Sequence, residues 1–74
     1  MLTSAEEFIR LRTSKLPAEY YRAAHEPADI STWLEIIERY PEYKVWVIHN
    51  KTVPLVILHK LAQDENPDVR AAVA

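Results

Sequence analysis

Apolar residues recur along this chain at three- and four-residue spacing. Leu34, Ile37 and Tyr40 share one face of a 3.6-residue period, and Leu55, Leu58 and Leu61 repeat the arrangement further on. Polar residues placed to start helices agree with that period. Ser4 with Glu7, and Thr32 with Glu35, have the spacing of a capping box, while Asn66 before Pro67 reads as an N-cap followed by a proline in the first turn. Asn50 follows the apolar stretch Val45-Trp46-Val47-Ile48, where a helix ending in a left-handed residue would use asparagine if glycine were unavailable.

Glycine is in fact absent, and five prolines divide the chain. Without glycine the positive-φ turns of an antiparallel sheet have almost no source, so an all-β fold is close to excluded. Pro27, Pro41, Pro54 and Pro67 stand 14, 13 and 13 residues apart, the length of a short helix plus its turn. Proline suits the first turn of a helix and damages its interior, so each proline is expected to open one. The pattern predicts six short helices at about 4–13, 17–25, 29–40, 42–49, 53–63 and 67 to the end. Val45-Trp46-Val47-Ile48 has strand propensity, but it lies between two prolines with no partner strand, and context favours helix.

The chain also overlays on itself. Tyr21-Arg22-Ala23-Ala24 matches Val69-Arg70-Ala71-Ala72 at an offset of 48, and at half that offset Trp33, Leu34 and Ile37 fall on Ile57, Leu58 and Leu61. After a two-residue slip Pro41, Lys44 and Val47 fall on Pro67, Arg70 and Val73. A cation recurs as Arg22, Lys44 and Arg70, with an acid six places earlier in two of the three units, Glu38 and Asp64. A period of two dozen residues built from paired helices is the signature of a stacked helical solenoid. The expected fold is therefore an all-α, short right-handed α-solenoid of about three two-helix repeats, a single domain over 1–74.

From Val47-Ile48-His49-Asn50-Lys51-Thr52-Val53-Pro54 through Leu58, Leu61-Ala62 and Asp64 to Val69-Arg70 and Val73-Ala74, the chain resembles the leucine-rich repeat variant, a HEAT-like helical repeat of bacterial proteins. The resemblance implies an α-solenoid that acts as a binding scaffold. It also implies that Asp64 and Arg70, with Glu38 and Lys44, tie adjacent turns together. Some relatives carry a cysteine-ligated iron–sulfur cluster, but this chain has no cysteine, so that property does not transfer.

Composition narrows the chemistry. The absence of cysteine removes disulfides, thiolate metal sites and a cysteine nucleophile, and with no visible targeting segment it points to a cytoplasmic protein. Nine basic against eleven acidic residues leave a net charge of −2, which gives nucleic acid or an acidic membrane no general attraction. His25, His49 and His59 lack the i, i+4 spacing that pairs ligands on a helix, so no metal and no cofactor are expected. Neither a nucleophile elbow nor a phosphate loop can be built without glycine, and the chain is read as non-enzymatic.

The best partner-binding candidates are Trp46, His49, Asn50 and Lys51, an aromatic, an imidazole, an amide and a cation grouped at one helix end. The expected function is a scaffold for a protein partner. The alternative is a nucleic-acid-binding HEAT-like solenoid using Arg22, Lys44, Arg70 and Lys51. A last expectation concerns Val69, Ala72 and Val73, backed by Leu58 and Leu61, where no polar capping repeat follows. That face should either form a homo-oligomer through the C-terminal helix or be covered in a longer repeat protein.

Overall fold

Ser4 Oγ accepts a hydrogen bond from the Glu7 amide at 3.0 Å and so starts α1 (Ala5–Arg12). Glu7 reaches past Ser4, accepting from the Thr3 amide at 2.7 Å. The computed structural model describes residues 1–74. Pro17 then occupies the first turn of α2 (Pro17–His25), and Asp29 precedes α3 (Ile30–Arg39). A single 3₁₀ turn, Pro41–Tyr43, runs into α4 (Lys44–His49). Leu55–Leu61 forms α5, and Asn66 Oδ1 accepts from the Asp68 amide at 2.8 Å to cap α6 (Pro67–Val73). There is no strand, only one isolated bridge between Leu2 and Ala28. The segment Val45–Ile48 is helical, as its context required. No helix is long and apolar enough to cross a membrane.

Four local expectations need correction. Pro27 does not open a helix: it sits in the extended connection after α2, two residues before the cap of α3. Pro54 caps α5 from just outside it. Thr32 is no cap either, because α3 begins two residues earlier, and its side chain is buried within the helix. Asn50 is not left-handed; its φ of −68° and ψ of 130° are extended, and no residue in the chain has positive φ.

The core is built from stripes on these helices. α1 contributes Ala5, Phe8 and Leu11, α3 contributes Trp33, Ile36 and Ile37, and α4, α5 and α6 add Val47, Ile57, Leu61 and Val69. Phe8 and Trp33 meet edge to face with ring centroids 5.6 Å apart, a favoured arrangement for two quadrupoles. The inward stripe of α3 is thus rotated from the expected Leu34–Ile37–Tyr40 line, leaving Leu34 and Tyr40 half-buried. The same holds in α5, where Ile57 and Leu61 are inside and Leu55 is exposed. An unbroken apolar run such as Val53–Leu58 does not say which of its residues faces inward, and packing decides.

Successive odd-numbered helices touch, α1 on α3 and α3 on α5, as do successive even-numbered ones, α2 on α4 and α4 on α6. Each odd helix also packs on the even helix that follows it. Of the residues matched in the internal overlay, one set shares its burial: Trp33 and Ile57 are inside, Ile37 and Leu61 are inside, and Leu34 and Leu58 are half-buried. Val47, by contrast, is buried where Val73 is half-buried, and Tyr21 is exposed where Val69 is buried.

Carboxylates tie the helices together from outside the core. Lys44 Nζ lies 2.7 Å from Asp64 Oδ1, joining α4 to the turn before α6, while Arg70 Nη1 donates to the Asp64 carbonyl at 2.7 Å. Asp64 is thereby held by both recurring cations, one at its carboxylate and one at its backbone. Glu38 makes no such bond. Tyr40 Oη donates to Glu6 at 2.9 Å, and Arg10 and Ser14 hold Glu19. Arg22 pairs with Glu26, which also accepts from the N-terminal ammonium.

These contacts favour the ionised acids. The Arg22 guanidinium, helped by the N-terminal ammonium, holds Glu26 at about 2, against an ordinary value of 4.5. The Tyr40 hydroxyl lowers Glu6, the Thr3 amide lowers Glu7, the Ser14 hydroxyl lowers Glu19 and Lys44 lowers Asp64. A depressed carboxylate binds its proton more weakly folded than unfolded, so its stabilisation is complete above the ordinary value and fades as pH falls through the folded one. Thermal unfolding followed by circular dichroism should give a Tm insensitive to pH just above 4.5 and falling steadily from there to about pH 2. A Tm unchanged across that interval would refute the assignment of these acids.

Candidate functional site

Ala23 and Ala24 on α2 are small, and Tyr20 one turn earlier is large, so α2 presents a shallow floor beside a wall. α4 faces it with Trp46 and His49, three residues apart and therefore on one side of the helix. Arg12, in the last turn of α1, closes the end. Together these six residues line a cleft of about 370 Å³. It lies at the small end of the roughly 300–1,000 Å³ range of ligand sites.

Trp46 is the centre of the cleft. It is 38% exposed, and the Arg12 guanidinium lies over its ring at 3.5 Å from the centroid. His49 is tilted against the same ring, with centroids 5.6 Å apart. Beside the cleft, Tyr21 and His25 stack at 3.8 Å, and His25 Nδ1 lies 2.9 Å from the Tyr21 carbonyl, which can only accept, so Nδ1 carries the proton. Tyr20 and Tyr21 are both exposed. The cleft is thus aromatic at its walls, apolar at its floor and basic at its rim, with no carboxylate among its lining residues.

Of the residues expected to form a binding edge, the structure brings Trp46 and His49 into the cleft and leaves Lys51 exposed just outside it. Asn50 is removed from the surface, being only 3% exposed. Its Nδ2 donates to the carbonyls of Ala23 at 2.8 Å and Glu26 at 3.1 Å, and its Oδ1 accepts from the Thr52 amide at 2.8 Å and the Thr52 hydroxyl at 2.6 Å. The Lys51 amide completes the group by donating to the Ala24 carbonyl at 2.7 Å. Residues 50–52 therefore cap α2 from across the molecule and fix α4 at the cleft. Arg12 and Tyr20 are additions that the sequence does not signal. They are distant from Trp46 along the chain, and only the packing of α2 on both α1 and α4 unites them.

The cations of the nucleic-acid alternative are differently placed. Arg22, Lys44 and Arg70 are each occupied by a carboxylate or a carbonyl, and of the four cations in that alternative Lys51 alone extends freely. The three histidines do not gather with acids into any cluster that could hold a metal ion.

A second apolar groove, about 380 Å³, lies between α5 and α6. Leu55, Leu58, Ala62 and Val73 line it. The C-terminal face expected to be open is in part closed, since Leu61 is fully buried and Val69 is 3% exposed. α6 achieves this by packing on α4 as well as α5.

No family model matches the chain, and no curated protein or solved structure matches it.

Proposed function

We propose that the six helices are three two-helix units of a short right-handed α-solenoid, and that the protein is a non-enzymatic scaffold binding a protein partner across α2 and α4. The stacking of odd helices on odd and even on even supports the repeat reading, as does the shared burial of the matched pairs of α3 and α5, Trp33 with Ile57 and Ile37 with Leu61. The observation that carries the binding reading is the open cleft around Trp46, in which a large aromatic is left 38% exposed beside alanines that leave space for a guest. Neighbouring Tyr20, also exposed, extends the same surface. Occupied cations weigh against nucleic acid, because a polyanion needs several free cations in line.

The test is a random-peptide display selection on the full chain followed by heteronuclear NMR. Selected peptides should shift the Trp46 indole N–H and the amides of His49 and Lys51. Trp46→Ala should retain its helical circular dichroism, since the ring is only partly enclosed, and lose the selected peptides by tenfold or more, about the effect of one hot-spot residue. Peptides that shift only the α5–α6 groove would refute the site. Salt-sensitive retention on immobilised DNA or RNA would favour the nucleic-acid alternative.

A further inference from the structure

Arginine side chains in this protein nearly all have a polar partner. Arg10 is held by Glu19, Arg22 by Glu26, Arg39 by Glu35, and Arg70 by the carbonyls of Asp64 and Glu65. Arg12 is the exception. Its guanidinium lies on the face of Trp46 and makes neither an ion pair nor a hydrogen bond. Stacking uses the π face of the plane and leaves the N–H donors at its edge free, in the fixed fork that matches a carboxylate. The acids of the neighbouring helix and its C-terminal end are already engaged, Glu19 by Arg10 and Ser14, and Glu26 by Arg22.

From this unpaired fork at the rim of an aromatic cleft, we infer that the partner presents a short acidic peptide segment, an Asp or Glu next to a large apolar side chain. The carboxylate takes the edge of Arg12, with His49 as the second basic group on the rim. The apolar neighbour enters between Tyr20 and Trp46 and rests on Ala23 and Ala24. Trp46 serves twice in this arrangement, as a wall for the apolar side chain and as the platform that orients Arg12 before the partner arrives. Such preorganisation lowers the entropy lost when the salt bridge forms. A single carboxylate fits better than a run of phosphates, because Arg12 is the one arginine without a polar partner, while Arg10, Arg22 and Arg39 are each paired with a glutamate.

The inference rests on the peptide-binding reading given above, and the experiment separates the two. Synthetic heptapeptides containing Glu-Leu, Glu-Phe, Asp-Leu or Asp-Phe, each with its Gln or Asn counterpart, are titrated into the full chain, with an oligothymidine as a third probe. NMR reports the place of binding and fluorescence anisotropy the affinity. The acidic member of each pair should bind at the cleft about 10- to 100-fold more tightly, the worth of one charge-assisted hydrogen-bonded contact. Arg12→Gln should abolish that difference while still binding the amide peptides, and Arg12→Lys should restore part of it. Equal binding of acid and amide at the cleft, or a preference that survives Arg12→Gln, overturns the acidic segment and leaves peptide binding in place. No peptide binding at the cleft, or oligothymidine there instead, overturns both.

Discussion

Asn50→Ala should be among the most damaging single substitutions in the protein. The reason lies in α2, where the amide that would pair with the Ala23 carbonyl belongs to Pro27 and has no hydrogen. Asn50 Nδ2 supplies the missing donor at 2.8 Å and spans to the Glu26 carbonyl as well. Its Oδ1 satisfies the Thr52 amide. Alanine leaves the buried Ala23 carbonyl unsatisfied, at a cost of about 1–3 kcal/mol, and also removes the part-buried bond to the Thr52 amide, worth about 0.5–1.5 kcal/mol. The expected loss is about 3 kcal/mol, a large share of the roughly 4–11 kcal/mol a chain of this length can hold. In thermal unfolding this corresponds to a fall in Tm of about 12–24 °C. Asn50→Asp is the sharper probe, because it keeps the shape and the two accepted bonds but replaces both donors with a charge facing carbonyl oxygens. It should be at least as destabilising as alanine at neutral pH. If Asn50→Asp left stability within about 1 kcal/mol of the parent, the low end of what a lost donor costs, the cap would carry little of the fold.

What is legible in the sequence follows from the range of the interactions. Helix content is readable because its signals are local: absent glycine, spaced prolines, and Ser4 and Asn66 bonding amides two or three residues away. Facing is less readable. Apolar residues are adjacent in Trp33-Leu34 and in Val56-Ile57-Leu58, so the inward one is chosen by neighbours that the sequence does not place. Asn50 misleads for the same reason. As a local signal it resembles a helix end, while its actual partners are the carbonyls of a helix two dozen residues earlier. One clue is present, since a proline four residues after Ala23 orphans that carbonyl and requires a donor from elsewhere. The cleft is half visible: Trp46 and His49 lie one turn apart, whereas Arg12 and Tyr20 join them only through packing.

The two tryptophans divide the protein into what must be enclosed and what can stay open, and Trp33 carries the other large effect. It is wholly buried and meets Phe8 edge to face, so Trp33→Ala removes the largest side chain of the core. A loss of about 3–5 kcal/mol is expected, as large as or larger than that of Asn50→Ala and a major share of the roughly 4–11 kcal/mol such a domain can hold. Trp33→Phe separates volume from polarity. Trp33 Nε1 is buried without a hydrogen-bond acceptor, a standing penalty of about 1–3 kcal/mol that phenylalanine removes. That gain opposes the cavity left by the smaller ring, so the net change should be within about 1.5 kcal/mol of the parent. Urea unfolding followed by circular dichroism measures it directly, and Trp46 remains as the sole indole to report the cleft. If phenylalanine proved nearly as damaging as alanine, the buried indole N–H would carry no such penalty, and the packing of the larger ring against Phe8 would account for the whole effect.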